Sequence, residues 1–278
     1  MKHLRALQLV VLLSALGWLI SSCSAPSSPG TGETSGSSAS SGPTGTIRGV
    51  VRLTGNAPVP ATEPIKTDQS TCGSSVSLPR IALGKDNGVK DTFVFLDGVS
   101  APVGAEPPAT ASVLMDQKNC QYIPHAMTVP VGTQLDITNS DEILHNVNGK
   151  IIATEGLLPK FNIAQPIKGQ RSKTPALDTT GMVTLSCEAG HPWMSAFVLV
   201  TDNPYVAITK NDGEFVIPNV PVGKYRLKMW HEGVTLTSNN KALQRYDYEE
   251  PYETTKDVDV TANGEVVVNF DFALRPAR

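Results

Sequence analysis

Catalytic signatures are missing from this sequence. It has no Gly-x-Ser-x-Gly elbow, no phosphate-binding glycine loop and no His-Glu-x-x-His pair. The commonest hydrolase, nucleotide and zinc-peptidase chemistries therefore have no residues to run on. A Cys-x-x-Cys-His haem attachment motif is also absent. The chain is expected not to be an enzyme. Basic charge is scarce as well: 23 Lys and Arg stand against 26 Asp and Glu, for a net charge of -3. No basic stripe is present, which argues against nucleic acid as a partner. Aromatic residues make up only 6% of the chain, whereas Gly (23) and Pro (21) are frequent. Helical periodicity is lacking outside the first 20 residues, so the composition points to many short strands and turns.

The amino terminus reads as a targeting segment. Lys2, His3 and Arg5 form a basic start, and Leu7 to Ile20 is apolar apart from Gln8, Ser14 and Gly17. The run from Ala6 to Ile20 falls short of the roughly 20 apolar residues that a spanning helix needs. Leu19-Ile20-Ser21-Ser22-Cys23 resembles a bacterial lipobox, which implies a signal peptide over 1–22 and a lipid on Cys23. Ordinary cleavage nearby, with Cys23 lost or idle, is the alternative. Residues 23–45 are almost all Ser, Gly, Pro, Thr and Ala, too polar to offset chain entropy by burial, and are expected to form a tether. The chain is thus expected to be exported and lipid-anchored to a bacterial membrane, facing the periplasm or cell surface.

Three cysteines follow Cys23: Cys72, Cys120 and Cys187. An odd count in an exported protein leaves one thiol for chemistry or for pairing between chains. A Cys72–Cys120 disulfide with Cys187 free is the economical assignment, and three unpaired thiols are the alternative. Strand patterns run throughout the rest. Thr46 to Leu53 alternates around a bulge-like Gly49, and residues 56–88 read as a surface excursion. Met127 to Thr138 suggests a hairpin-like pair about Pro130-Val131-Gly132, and residues 238–251 a weak turn of helix. In Met182 to Cys187 alternation places Val183, Leu185 and Cys187 on one face. From Tyr205 onward the chain reads as a meander turning at Lys210-Asn211-Asp212-Gly213 and Asn263-Gly264. The expected division is 46–202, carrying an N-terminal extension, and 203–275, a small β-sandwich.

The most informative segment is Cys187-Glu188-Ala189-Gly190-His191-Pro192-Trp193-Met194. A thiolate, an imidazole and a thioether in one loop match the donors of a mononuclear copper site, in which two His and a Cys form a plane and Met is axial. Ala189-Gly190 allows the chain to fold back between Cys187 and His191, and Pro192 stiffens the stretch carrying Met194. The second His must come from elsewhere in the scaffold, and His145 follows a strand and an Asn139-Ser140-Asp141 turn. Asn146 beside it is placed to lock the ligand loop by hydrogen bonding near Cys187.

Residues from about 110 to 202 resemble the plastocyanin-like cupredoxins. The likeness rests on Pro124-His125-Ala126-Met127-Thr128-Val129-Pro130-Val131-Gly132, on Asn139 to Asn146, and on Cys187, His191 and Met194. It implies a Greek-key β-sandwich or barrel holding one type 1 copper on His145, Cys187, His191 and Met194. The spacing Cys-x3-His-x2-Met differs from plastocyanin and matches half of the binuclear copper loop of cytochrome oxidase. Val183 stands where that loop has its first Cys, so a mononuclear site is expected. Residues from about Pro204 to Phe272, with Asn211 to Tyr225, resemble the noncatalytic carboxypeptidase regulatory-like, transthyretin-like module. The join of the two resembles exported bacterial proteins loosely labelled methylamine utilisation proteins.

The resulting expectation is an all-β, membrane-tethered one-electron carrier cycling Cu(I) and Cu(II), serving a redox protein partner. Two rivals are a copper carrier or store without electron transfer, and a metal-free surface interaction protein. His125 is an extra ligand candidate against an edge-strand structural role, and His231 reads as a hydrogen-bonded structural residue. Trp193 is placed either to form an apolar docking rim or simply to pack.

Overall fold

The computed structural model describes residues 42–57, 59, 61–78, 81–100, 113–240 and 245–275. The leader, Cys23 and residues 24–41 of the expected tether lie outside the described residues. Among those described, no helix is long and apolar enough to cross a membrane.

Strands carry the architecture. The described residues begin with β1 (Thr44–Thr54), β2 (Ala61–Pro64), a one-turn helix α1 (Gln69–Cys72), β3 (Ser75–Leu78) and β4 (Phe93–Asp97). Then come β5 (Val113–Gln117), β6 (Tyr122–Ile123), β7 (Ala126–Pro130), β8 (Leu135–Asn139), β9 (His145–Ala153) and β10 (Gly156–Gln165). β11 (Arg171–Lys173), β12 (Gly181–Ser186), β13 (Ser195–Thr201), β14 (Val206–Ile208), β15 (Glu214–Pro221) and β16 (Gly223–His231) follow. The last are β17 (Leu236–Asn240), β18 (Arg245–Tyr248), β19 (Tyr252–Val260), β20 (Glu265–Val267) and β21 (Phe270–Ala273).

All but β2, β3, β17 and β18, which form two-stranded ribbons, belong to two sandwiches. In the first, the sheet β10-β9-β12-β13-β7 packs on β11-β8-β5-β6. Inward residues of both sheets, among them Met115, Leu135, Ile137, Leu185 and Val198, form one buried core. In the second, β15-β1-β20, with β21 also on β1, packs on β14-β4-β16-β19 around Ile47, Val51, Leu96, Phe215, Leu227 and Phe270. Alternation in β1 buries Ile47, Gly49, Val51 and Leu53 while Arg48, Val50 and Arg52 stay more open, the period-two signature of a strand with one buried face.

Four sequence expectations change here. The division at 202/203 does not follow the sheets, because β1 and β4 pair with β15, β20, β21, β14 and β16 of the second sandwich. Alternation announces that a strand has a buried face without naming its partner. The Met127–Thr138 pair is not a hairpin: β7 runs parallel to β13 and β8 parallel to β5, in different sheets. The turn at Gly132 (φ 87°) carries the chain across the sandwich edge instead of back along one sheet. Residues 238–251 contribute β17 and β18, a two-stranded ribbon, in place of a helical turn. Gly49 sits in register opposite Phe215, and a Cβ there would lie 1.7 Å from the Val268 carbonyl oxygen. It is glycine because another backbone approaches, not because the strand bulges at that point.

The sandwiches share a seam. Along β13, Ala196, Val198 and Val200 face the first core, whereas Phe197 and Leu199 join Phe93, Ala126, Met182 and Trp230 in a separate buried cluster. Phe93 and Trp230 come from the second sandwich, Phe197 from the first. Their rings meet at centroid distances of 5.7 Å (Phe93–Trp230) and 5.3 Å (Phe197–Trp230), within the favourable range for aromatic pairs.

Candidate metal centre

The centre forms at one end of the first sandwich. His145 is the first residue of β9, and Cys187 follows the end of β12 on the same buried face as Val183 and Leu185. The loop 187–194 returns to β13. It is closed by the Met194 N–H donating to the His191 carbonyl at 3.0 Å and by the Cys187 N–H reaching the Met194 carbonyl at 3.4 Å. Gly190 takes φ +92°, a conformation that side chains disfavour, at the bend between Cys187 and His191. The loop before β9 is shaped by the buried Asn139. Its side-chain oxygen accepts the Asp141 N–H at 2.9 Å, and its amide donates to the Ile143 and Gln165 carbonyls.

His145, Cys187 and His191 converge. Their donor atoms lie within 4.8 Å of one another, with Nδ1 to Nδ1 at 3.2 Å and the Cys187 Sγ to His191 Nδ1 at 3.6 Å. His145 and His191 are fully buried and Cys187 is 2% exposed. Met194, 1% exposed, belongs to the same buried cluster as Cys187. Each imidazole has a carboxylate on its outer nitrogen: Asp141 at 2.9 Å from His145 Nε2, and Asp68 at 3.0 Å from His191 Nε2. These partners assign the ring protons to Nε2, which leaves a lone pair on each Nδ1. Two inward lone pairs at 3.2 Å beside a sulfur repel unless an electrophile lies among them. One metal ion, with bonds of about 2.0–2.3 Å to nitrogen and sulfur, satisfies all three donors. Two imidazoles, a thiolate and a nearby thioether are the set that suits copper.

The surroundings act on the donors in both directions. Burial pushes the Cys187 thiol up, while the backbone N–H groups of Asn146, Ala189 and His191 and the Tyr122 hydroxyl act the other way. Burial lowers His191 against the opposing pull of Asp68, which favours the neutral, metal-binding imidazole. Burial, and then Cys187 beside it, raise the Tyr122 phenol well above its ordinary value, so it is a donor. Asn146 Oδ1 accepts the Glu188 N–H at 2.6 Å, and its amide donates to Asn162 Oδ1 at 2.7 Å, tying β9 to the ligand loop.

Other sequence candidates lie elsewhere. His125 is outside the cluster: Nδ1 faces the Ser195 carbonyl at 2.9 Å and Nε2 pairs with the buried Glu232 carboxylate. His231 is buried, its Nδ1–H donating to the Glu232 carbonyl at 2.8 Å. Trp193 packs edge-on to His191 at 5.5 Å and donates Nε1–H to the Cys120 carbonyl at 3.1 Å. Cys72 and Cys120 form a disulfide, and among the described residues Cys187 is the free cysteine. Sequence reasoning missed Asp68, Asp141 and Tyr122. Asp141 carried a signal, as the last residue of the Asn-Ser-Asp turn four residues before His145. Asp68 carried none, being 123 residues from His191.

Residues 178–266 match the family described as Polysaccharide lyase family 4, domain II. No curated protein matches the chain. Among solved structures, a novel purple cupredoxin from Nitrosopumilus maritimus is 23% identical over 32% of this chain and 100% of its own, with a TM-score of 0.27. A Cu-containing nitrite reductase from Thermus scotoductus SA-01 is 22% identical over 37% of this chain, with a TM-score of 0.28; the match spans 25% of the reductase. The Cu(I) form of an amicyanin point mutant is 22% identical over 38% of this chain and 97% of its own, with a TM-score of 0.27. The fold described here accordingly rests on the chain's own strand order and register, an all-β pair of sandwiches.

Proposed function

We propose that this chain is an exported, lipid-anchored mononuclear copper protein that carries single electrons between partner proteins. His145, Cys187 and His191 would form the ligand plane and Met194 the axial position. Bound copper would supply the one electron by cycling between Cu(I) and Cu(II). The observation that carries the reading is the convergence of two carboxylate-backed imidazoles on a buried thiol. Burial of all the ligands supports electron exchange through the protein over substrate binding at the metal. Ligands held by β9, β12 and their loops need little rearrangement when the charge on the ion changes. Cys23 would carry the lipid, and the second sandwich, fused along the aromatic seam, would be a rigid docking or spacer module.

Voltammetry of the copper-loaded chain, beside transfer of its copper to a chelator, tests this reading. A reversible one-electron wave with slow metal loss is expected. Fast, complete surrender of copper without a reversible wave would replace the electron carrier with a copper carrier.

A further inference from the structure

A hairpin from outside the first sandwich closes over the ligand loop. β2 and β3 pair in register from Ala61–Leu78 to Pro64–Ser75, and the tip between them is folded tightly. The Ile65 N–H donates to the Ser74 carbonyl, the Thr71 and Cys72 N–H groups to the Asp68 carbonyl, and the Gln69 amide to the Ile65 carbonyl. Three ties hold this tip to the centre. Cys72 is bonded to Cys120, the Thr67 hydroxyl donates to the Gly190 carbonyl at 3.2 Å, and Asp68 Oδ2 accepts from His191 Nε2–H at 3.0 Å. Asp68 sits in the left-handed region (φ 52°), a conformation Asp tolerates better than most residues. That backbone turn directs the main chain into α1 and on to Cys72.

The disulfide links both outer carboxylates. Cys120 and Asn119 both have positive φ, and their N–H groups donate to Asp141, at 2.9 and 2.8 Å, whose Oδ2 also meets His145. Asp141 thus holds His145 from one side of the Cys72–Cys120 bridge, and Asp68 holds His191 from the other.

We propose that Asp68 is a positioning residue for the centre: carried on a disulfide-clamped strap, its carboxylate fixes the His191 ring with Nδ1 inward and raises that imidazole's basicity. This rests on the copper reading above. A carboxylate behind a ligand favours the more positive ion. Outer partners of this kind are worth about 10–100-fold in metal affinity. Asp68→Asn keeps the shape and a hydrogen-bond acceptor but removes the charge. Its Cu(II) affinity should fall about 10–100-fold while Cu(I) affinity changes little, raising the potential by about 60–120 mV at 59 mV per tenfold.

The experiment compares the chain with Asp68→Asn and Asp68→Ala by two readouts. The first is the copper potential together with Cu(II) affinity. The second needs no copper: the exchange of the His191 Nε2–H proton with water in the metal-free, 15N-histidine-labelled protein. Slow exchange in the parent, fast exchange in Asp68→Ala and an upward shift in Asp68→Asn would support the proposal. Equal exchange in parent and Asp68→Ala would overturn it. So would a protected proton whose loss leaves potential and affinity unchanged within twofold, because Asp68 would then only pin the hairpin. A chain that takes up no copper refutes the copper reading itself. The proton exchange then still decides whether Asp68 holds His191, while its role toward a metal falls with that reading.

Discussion

Removing the Trp230 side chain should loosen a sandwich to which Trp230 does not belong. It sits in β16 of the second sandwich, 5% exposed, against Phe93 of β4 and Phe197 of β13. Truncating a buried Trp to Ala costs about 3–5 kcal/mol, lost transfer energy plus the cavity left behind. At about 2–4 °C per kcal/mol for a chain of this size, the midpoint should fall by roughly 6–20 °C. The distinctive expectation is where the loss is felt. In Trp230→Ala, Trp193 is the tryptophan left among the described residues, and it lies in the ligand loop of the first sandwich. In a chain begun at residue 42, its fluorescence should therefore melt at the same lowered temperature as the circular dichroism of the whole. Phe197→Ala, made from the other side, should be non-additive with it by about 0.5–1.5 kcal/mol, as for contacting aromatics. Two separate transitions, with the Trp193 signal unmoved, would refute the claim that the seam makes one cooperative core.

Three further outcomes follow from the same geometry. The Cys72–Cys120 bridge closes a loop with a sequence separation of 48, so chain entropy gives about 4 kcal/mol; Cys72→Ser/Cys120→Ser should lower the urea-derived stability by up to that amount, and a loss under about 1 kcal/mol would contradict it. Burial holds the His231 imidazole below its ordinary range. Its contribution is complete above the unfolded value of about 6.5 and is lost as pH falls toward the lowered folded value. Metal-free His231→Gln should therefore lose less stability between pH 7 and 5 than the parent, and parallel pH profiles would count against this assignment. Asn146→Ala leaves the Glu188 N–H without its side-chain acceptor. The expected cost is about 1–3 kcal/mol, with faster amide exchange at Glu188, and unchanged exchange there would show that β9 and the ligand loop are not tied in this way.

What could be read from the sequence was what is local. Alternation in Met182–Cys187 gave the face that carries Cys187, and a short loop must bring His191 near it. His145 was recognisable because it follows a strand and the Asn139-Ser140-Asp141 turn. Partner choice was not local. β1 and β4 advertise buried faces, yet their partners lie more than 100 residues away, so the module boundary was misplaced. The Pro130-Val131-Gly132 turn looked like a hairpin because a tight turn within a sheet and one between sheets use the same residues. Asp68 was invisible for the same reason as the β1 pairing. Its meaning arises only once the Cys72–Cys120 bridge and the strap lay it against His191.

The most direct test of the copper centre is the optical and EPR spectrum of the full chain after one equivalent of Cu(II), beside that of Cys187→Ser. The account predicts stoichiometric uptake and an intense visible thiolate-to-copper band that disappears in the variant. A colourless parent without bound copper, or a spectrum the same in Cys187→Ser, would contradict it.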